Sequence, residues 1–229
     1  MSKMLRFIGW QVKLLAKYQL LTVALAISAI YLAVLFFFNA LHTDLITSLF
    51  VFMDPTGLGF IFIGVIILFE KGDNTLDVQV ITPMKTRDYI WSKAIALLLP
   101  VVICSSGIVL ATKGFDFDPV TFYISLILTS LIFTFIGIAG VIRVNTFNQY
   151  IILIPLVTAP TALPLLNFLG LTNWKILFII PTQSTLNLFS NSLNRTHTWL
   201  EIIDAAYLVL WTWLSYYIAR RSFEKKMYQ

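Results

Sequence analysis

Residues Val120–Ile142 read VTFYISLILTSLIFTFIGIAGVI, an apolar run without Asp, Glu, Lys or Arg. A helix of roughly 20 residues crosses a hydrocarbon layer about 30 Å thick, because each residue adds about 1.5 Å along the helix axis. This run therefore predicts a membrane-spanning helix.

Comparable apolar blocks recur along the whole chain. Its 229 residues are 59% hydrophobic and only 12% charged, and the mean hydropathy is +0.86, well outside the composition of ordinary water-soluble domains. We expect an all-α membrane protein with one transmembrane domain over residues 1–229. The six predicted spans are Leu20–Ala40, Leu49–Phe69, Ala94–Ala111, Val120–Ile142, Tyr150–Gly170 and Ile202–Arg220.

The basic residues predict how the spans are oriented. With the N-terminus inside, all Lys and Arg except Lys113, Lys175 and Arg195 fall on one side. Basic residues near span ends are retained on the cytoplasmic side. We therefore expect both termini in the cytoplasm of a cell, and a multi-pass protein of its inner (plasma) membrane.

The segment before the first span is amphipathic. On a helical projection of residues 1–18, the basic side chains gather opposite an apolar arc made of Met4, Leu5, Ile8, Val12 and Leu15. This pattern predicts a helix lying in the membrane interface, in contact with anionic lipid. Such a helix is either a simple anchor or a grip for a partner. We expect no removable signal peptide at Met1–Lys17.

The fifth span and the segment after it are irregular. The span contains Pro155, Pro160 and Pro164, which predict a kink or break and a candidate gating element of the pathway; a static kink is the simpler alternative. Residues 171–201 are too long for a turn and too polar to cross the membrane. They are expected either to dip partway into the membrane or to lie flat on it.

The largest cytoplasmic connection is the loop Glu70–Lys93. Within it, Thr75–Thr82 can form two helical turns with Leu76 and Val80 on one side, and Pro83 stops them. A second helix is expected to begin near Thr86, with Asp88 in its first turn. The loop is either a lever for a cytosolic partner or an ordinary solvated loop.

In layout and in this loop, the chain resembles the type-2 export permeases of ATP-binding-cassette transporters. The second span ends in an acidic residue followed by Gly-x-x-Thr-Leu, then Thr-Pro, then Tyr-Ile-x-x-Lys leading into the third span. The resemblance implies a coupling helix that docks on an ATPase subunit, a partly re-entrant outer segment, and a dimer with its pathway between the first and fifth spans. The implied ATPase contacts are Thr75, Leu76, Val80, Ile81 and the nearby Glu70.

The resemblance also assigns the energy source to another protein. The chain has no Gly-x-x-x-x-Gly-Lys-Ser/Thr phosphate loop, so ATP and Mg²⁺ are expected in the partner and no cofactor is expected here. The small residues Ala26, Ala29 and Ala33 share one face of the first span, which predicts close helix packing, within the chain or with a second copy. That copy is either identical or a related permease. No nucleic-acid partner is expected.

Other functions are less favoured by the sequence. We expect no ionisable side chain in the middle of the first five spans, which argues against an ion-coupled carrier. A non-transporting scaffold that holds a cytosolic partner remains an alternative. His42 and His197 have no neighbours at ligand spacing, and no nucleophile–base pair is visible, so neither a metal site nor a catalytic residue is predicted.

Overall fold

The computed structural model describes residues 3–37, 44–73, 86–196 and 199–227. These ranges are helical apart from short connections, and they contain no strand. The α-helices of the described ranges are α1 (Lys3–Lys17), α2 (Leu20–Phe37), α3 (Asp44–Gly72), α4 (Thr86–Lys113), α5 (Pro119–Val141), α6 (Phe147–Ala162), α7 (Pro164–Phe168), α8 (Pro181–Asn194) and α9 (Trp199–Met227). A 3₁₀ turn, Lys175–Ile179, precedes α8.

Six helical segments are long and apolar enough to cross a membrane. They are α2, α3, α4, α5, α6 with α7, and α9. The predicted all-α architecture with six spans is confirmed, and an even number of crossings places both chain ends on the same side. The predicted start of α4 at Thr86, with Asp88 in its first turn, is also confirmed.

Several helices extend beyond the predicted spans. The second begins at Asp44 instead of Leu49, and the third begins at Thr86 instead of Ala94. The last helix continues past Arg220 to Met227. Hydropathy marks only the apolar part of a helix, whereas its backbone hydrogen bonds continue into the polar headgroup region and beyond.

Helix α5 lies at the centre of the described fold. It packs against α3, α4, α8 and α9, and its aromatic side chains Phe122, Phe133 and Phe135 are buried. In the most apolar 18-residue stretches of α3 and α5, 72% of the residues are buried. The corresponding share is 22% in α2 and 6% in the span formed by α6 and α7. The first and fifth spans are therefore the least enclosed by the rest of the chain.

A π-helical turn, Leu58–Phe62, interrupts α3 where it meets α5 and α6. Such a turn shifts the backbone hydrogen-bond register, and the Phe60 carbonyl oxygen accepts a hydrogen bond of 2.5 Å from the Tyr150 hydroxyl. Gly64 leaves room for this ring, because a Cβ there would lie 1.9 Å from Tyr150 Cζ. A Cβ at Gly137 would likewise lie 2.4 Å from Ile63 Cγ2. The two glycines thus permit close helix packing around the turn.

The fifth span is interrupted at one of its three prolines. The chain stays helical through Pro155 and Pro160, and α6 gives way to α7 only at Leu163, directly before Pro164. Pro164 has no N–H to donate to the Pro160 carbonyl, which instead accepts from the Leu163 amide at 3.3 Å. The break before Pro164 agrees with the expectation that this span kinks or breaks. A gating role for any of the three stays a prediction.

Candidate functional site

A buried ion pair joins the C-terminal end of α3 to the N-terminal part of α4. Lys93 Nζ lies 2.6 Å from Glu70 Oε1, and both side chains are at most 1% exposed. The Tyr89 hydroxyl donates to Glu70 Oε2 at 2.8 Å, and Lys93 Nζ also donates to Gln11 Oε1 of α1 at 3.2 Å. Burying two charges is costly, so the pair depends on these additional hydrogen bonds. Together, Glu70, Tyr89, Lys93 and Gln11 form what we call the root network.

Three further hydrogen bonds, all from Lys71, hold this end of α3 in place. Lys71 Nζ donates to the carbonyl oxygens of Val141, Ile142 and Val144 at 2.9, 3.2 and 2.7 Å, at the C-terminal end of α5. A cation is favourable there because unpaired carbonyls give the end of a helix a partial negative charge. The end of α3 is therefore fixed to α5 as well as to α4.

The junction between α1 and α2 contacts the same region. The Tyr18 hydroxyl donates to Asp73 Oδ2 at 3.0 Å, and the Tyr18 ring stacks on Phe69. Burial, together with the adjacent Asp73 carboxylate, raises the pKa of Tyr18, so the hydroxyl remains a donor at neutral pH. The amphipathic helix α1 is thus attached to both ends of the loop, through Gln11 and through Tyr18.

The predicted coupling residues are only partly described. Thr75, Leu76, Val80 and Ile81 lie outside the described residues. Glu70 is described, and its carboxylate faces Lys93 and Tyr89 inside the fold. Its predicted contact with an ATPase stays a prediction.

Sequence reasoning missed the role of Lys93. The Tyr-Ile-x-x-Lys motif places Tyr89 and Lys93 four residues apart, and side chains at that spacing share one face of a helix. Both face Glu70. The spacing could have revealed this pair, whereas the contribution of Gln11 depends on how α1 docks against α4 and has no local signal.

The predicted small-residue face of the first span points outward. Ala26, Ala29 and Ala33 are exposed, whereas Ala24 and Ser28 are buried on the side where α2 packs against α4. Within the described chain, the three alanines therefore lie outside the helix packing, and their predicted contact with a second copy stays a prediction. They remain available to another molecule.

The outer segment folds back along the spans. Helix α8 packs against α3, α5 and α9. Its C-terminal end meets the start of α5, where Ser192 Oγ donates to the Asp118 carbonyl at 2.8 Å. Nearer its N-terminal end, Thr185 Oγ1 lies 2.9 Å from Thr129 Oγ1, about 15 Å along α5 from Pro119 at about 1.5 Å per residue. This depth fits a re-entrant segment, which stays a prediction.

One expectation about the spans is wrong. Asp54 lies inside α3, about 15 Å from Asp44 at about 1.5 Å per residue. It is 2% exposed, and its Oδ2 accepts a hydrogen bond of 3.1 Å from Ser105 Oγ of α4. The high mean hydropathy of the predicted second span concealed this single acidic residue, although the sequence of the span contains it. The argument against an ion-coupled carrier loses its basis.

Among the described residues, no group of three or more His, Cys, Asp or Glu side chains could hold a metal ion.

Comparison with known proteins agrees with this architecture. Two relatives from Mycobacterium tuberculosis, strains CDC 1551 / Oshkosh and ATCC 25618 / H37Rv, are named fluoroquinolones export permease proteins. Each is 24% identical over 140 residues, which cover 60% of this chain and 59% of the relative. The match thus spans about three fifths of their length. The profile of the fluoroquinolones export permease protein family matches residues 2–229. The resemblance to type-2 export permeases is confirmed, and the chain belongs to the fluoroquinolones export permease protein family.

Proposed function

We propose that the chain is the membrane-spanning subunit of an ATP-binding-cassette exporter in the inner membrane of a bacterial cell. A separate ATPase subunit binds ATP and Mg²⁺, and the chain supplies the pathway. The observation that carries this proposal is the root network. It joins α1, α3 and α4 at the two ends of the loop that the family resemblance assigns to an ATPase.

The root network makes the loop an effective lever. Glu70 and Lys93 hold its two ends together, and Lys71 fixes the first end to α5. A force applied to residues 74–85 therefore acts on three spans at once instead of bending a free loop. Gln11 transmits part of the same displacement to α1.

The proposal predicts that single substitutions Leu76→Asp and Val80→Asp abolish co-purification with the proposed ATPase subunit and lower ATP turnover. A charge on the docking face of the short helix would have to be buried without a partner, which costs several kcal/mol. Val78→Asp is the matched control, because on a helix at about 100° per residue Val78 lies opposite Leu76. The coupling assignment fails if all three variants assemble and hydrolyse ATP like the parent.

The names of the relatives support a proposed substrate class. Fluoroquinolones are planar, amphipathic compounds, and we extend that class to this chain as part of the proposal. A cavity between two permease copies would expose such a compound alternately to the two sides. A fluoroquinolone is therefore the first compound to add when ATP turnover of the reconstituted complex is measured.

The second copy is proposed to cover the outward faces of α2 and α6. Ala29 is exposed on α2, and Leu156 of α6 is 70% exposed. Small residues on one helix allow close approach of a large apolar residue on another. We place α2 of one copy against α6 of the other, with the proline-containing span beside the pathway.

Cysteine cross-linking tests this arrangement. Cys104 is the only cysteine, so replacing it by alanine gives a clean background. The double variant Ala29→Cys with Leu156→Cys is expected to give cross-linked dimers in native membranes. The control pairs Ala29→Cys with Leu210→Cys, which lies on α9 and is 56% exposed. Equal dimer yields from the two pairs, or no dimer from the first, would refute the α2–α6 interface.

A second candidate function is an ion-coupled carrier. Buried Asp54 favours it, because ionisable side chains inside spans are costly and often serve ion or proton pathways. Such a carrier would transport its substrate in liposomes without a second protein.

A further inference from the structure

An open groove of about 740 Å³ lies at the C-terminal ends of α5 and α9. Its basic wall contains Arg143, Arg221, Lys225 and Lys226, and Tyr217 and Ile218 form an apolar wall. By the distribution of basic residues, these helix ends lie at the cytoplasmic face of the membrane. The groove therefore opens at the level of the inner-leaflet headgroups.

The four cations lack carboxylate partners within the described residues. None of the residues lining the groove is acidic, and nearby Glu224 is paired with Arg220, 2.7 Å away. The carbonyl groups at the end of α5 are already hydrogen-bonded to Lys71. Four like charges around one space repel one another, and a bound anion would relieve that repulsion.

A hydrogen bond within the chain fixes the position of one of the basic side chains of the groove. Arg143 Nη2 donates to Ser222 Oγ at 3.2 Å, which holds the guanidinium of the loop after α5 against α9. Arginine guanidinium groups bind phosphate oxygens with two parallel hydrogen bonds, and lysines add point charges. This combination of donors suits a phosphate group.

The apolar wall of the groove favours the phosphate of a lipid headgroup over a free phosphate anion. Tyr217 and Ile218 are 49% and 42% exposed, and α9 continues into the membrane with exposed Trp213 and Leu210. A free anion would leave this wall unused, whereas the acyl chains of a lipid would lie along it. Basic pockets between spans on the cytoplasmic side are suited to anionic headgroups.

We propose that this groove binds the phosphate headgroup of an anionic glycerophospholipid from the inner leaflet. Its acyl chains lie along α9. A bound lipid would neutralise the cations at the end of α9 and connect that end to α5. The site is separate from the root network and does not depend on the identity of the transported compound.

Native mass spectrometry of the detergent-purified full chain, titrated with dioleoylphosphatidylglycerol or dioleoylphosphatidylcholine, tests the proposal. The double variant Arg221→Gln with Lys225→Gln is expected to weaken phosphatidylglycerol binding about tenfold or more, since each cation near an anionic surface contributes about 1 kcal/mol. Lys13→Gln with Lys17→Gln is the matched control, because it removes two cytoplasmic charges from α1. It should change the affinity less than about threefold.

Further variants and ligands in the same experiment distinguish between an anionic lipid, a free anion and a protein partner as the occupant of the groove. Arg143→Gln, in the loop after α5, should also weaken phosphatidylglycerol binding. Equal binding of phosphatidylcholine, or an equal loss in the α1 control, would show that the groove is not selective and overturn the proposal. Complete displacement of the lipid by inorganic phosphate would identify a free-anion site instead. If the groove variants keep their lipid but lose the ATPase, the surface belongs to a protein partner and the lipid proposal is wrong.

Discussion

Replacing Lys93 by methionine is expected to destabilise the folded chain by about 3–5 kcal/mol, because it removes the ammonium group that lies 2.6 Å from the buried Glu70 carboxylate. Both side chains are almost fully enclosed, so water cannot replace the lost partner. Tyr89 still donates one hydrogen bond to Glu70, but a neutral donor does not balance the charge. Denaturant unfolding of the purified protein in detergent, followed by helical circular dichroism, measures the loss.

The same helix provides the control for this experiment. Lys113, near the other end of α4, forms an ion pair with Asp44, and both side chains are about a quarter exposed. Water can solvate Asp44 when the lysine is removed, so Lys113→Met is expected to cost at most about 1 kcal/mol. Equal losses from Lys93→Met and Lys113→Met would mean that the buried pair is not part of the folded protein.

A double variant separates the charge from the shape of the side chains. Lys93→Met combined with Glu70→Leu removes both charges, and buried pairs replaced by apolar residues are often neutral or stabilising. Most of the stability lost in the single variant should return. If the double variant folds well and still assembles with the ATPase but no longer couples ATP turnover to export, the root network acts in transmission as well as in stability.

Local patterns in the sequence were sufficient for the architecture. Block length and hydropathy predict the six spans because the bilayer constrains each helix separately. The amphipathic pattern of residues 1–18 likewise predicts α1. Its apolar face, however, packs partly on the rest of the chain: Leu15 is 2% exposed, and Val12 contacts the core. Periodicity identifies an apolar face without saying whether lipid or protein covers it.

The candidate site depends on contacts between residues far apart in the chain. Glu70 was correctly placed at the end of a span, but its enclosure requires α1, α3 and α4 to meet, which no local pattern encodes. The π-helical turn in α3 was missed for a similar reason. The Phe60 carbonyl in this turn accepts a hydrogen bond from the Tyr150 hydroxyl, and Gly64 leaves space for the Tyr150 ring. The three prolines predicted a kink or break in the fifth span without indicating its position: α6 accommodates Pro155 and Pro160 without leaving the helical conformation, and the break lies before Pro164.

Helix α3 connects these features in one element. From the cytoplasmic end it carries Glu70 in the root network, then the π-helical turn against α5 and α6, and then buried Asp54 beside Ser105. A displacement that begins at the loop would therefore reach the middle of the membrane along a single helix. The π-helical turn is the point at which that helix can most readily change its hydrogen-bond register.

Exchanging Asp54 for asparagine is expected to stabilise the protein by about 1–3 kcal/mol, because a charged aspartate within a span is costly and the amide keeps an acceptor for Ser105. The measurement is the same denaturant unfolding in detergent. Asp116→Asn is the control. Its side chain is 76% exposed and pairs with Arg195 at the surface, so the exchange should change stability by at most about 0.5 kcal/mol.

The Asp54 variant also separates the two candidate functions. In liposomes that contain the chain and its ATPase, export should require ATP and persist when ion gradients are collapsed, in both the parent and Asp54→Asn. An ion-coupled carrier gives the opposite pattern: the chain alone exports its substrate down an ion gradient, and Asp54→Asn abolishes that export. A destabilised Asp54→Asn variant would contradict the stability argument, because it would mean that the carboxylate charge is compensated by a bound cation or by a side chain of another subunit.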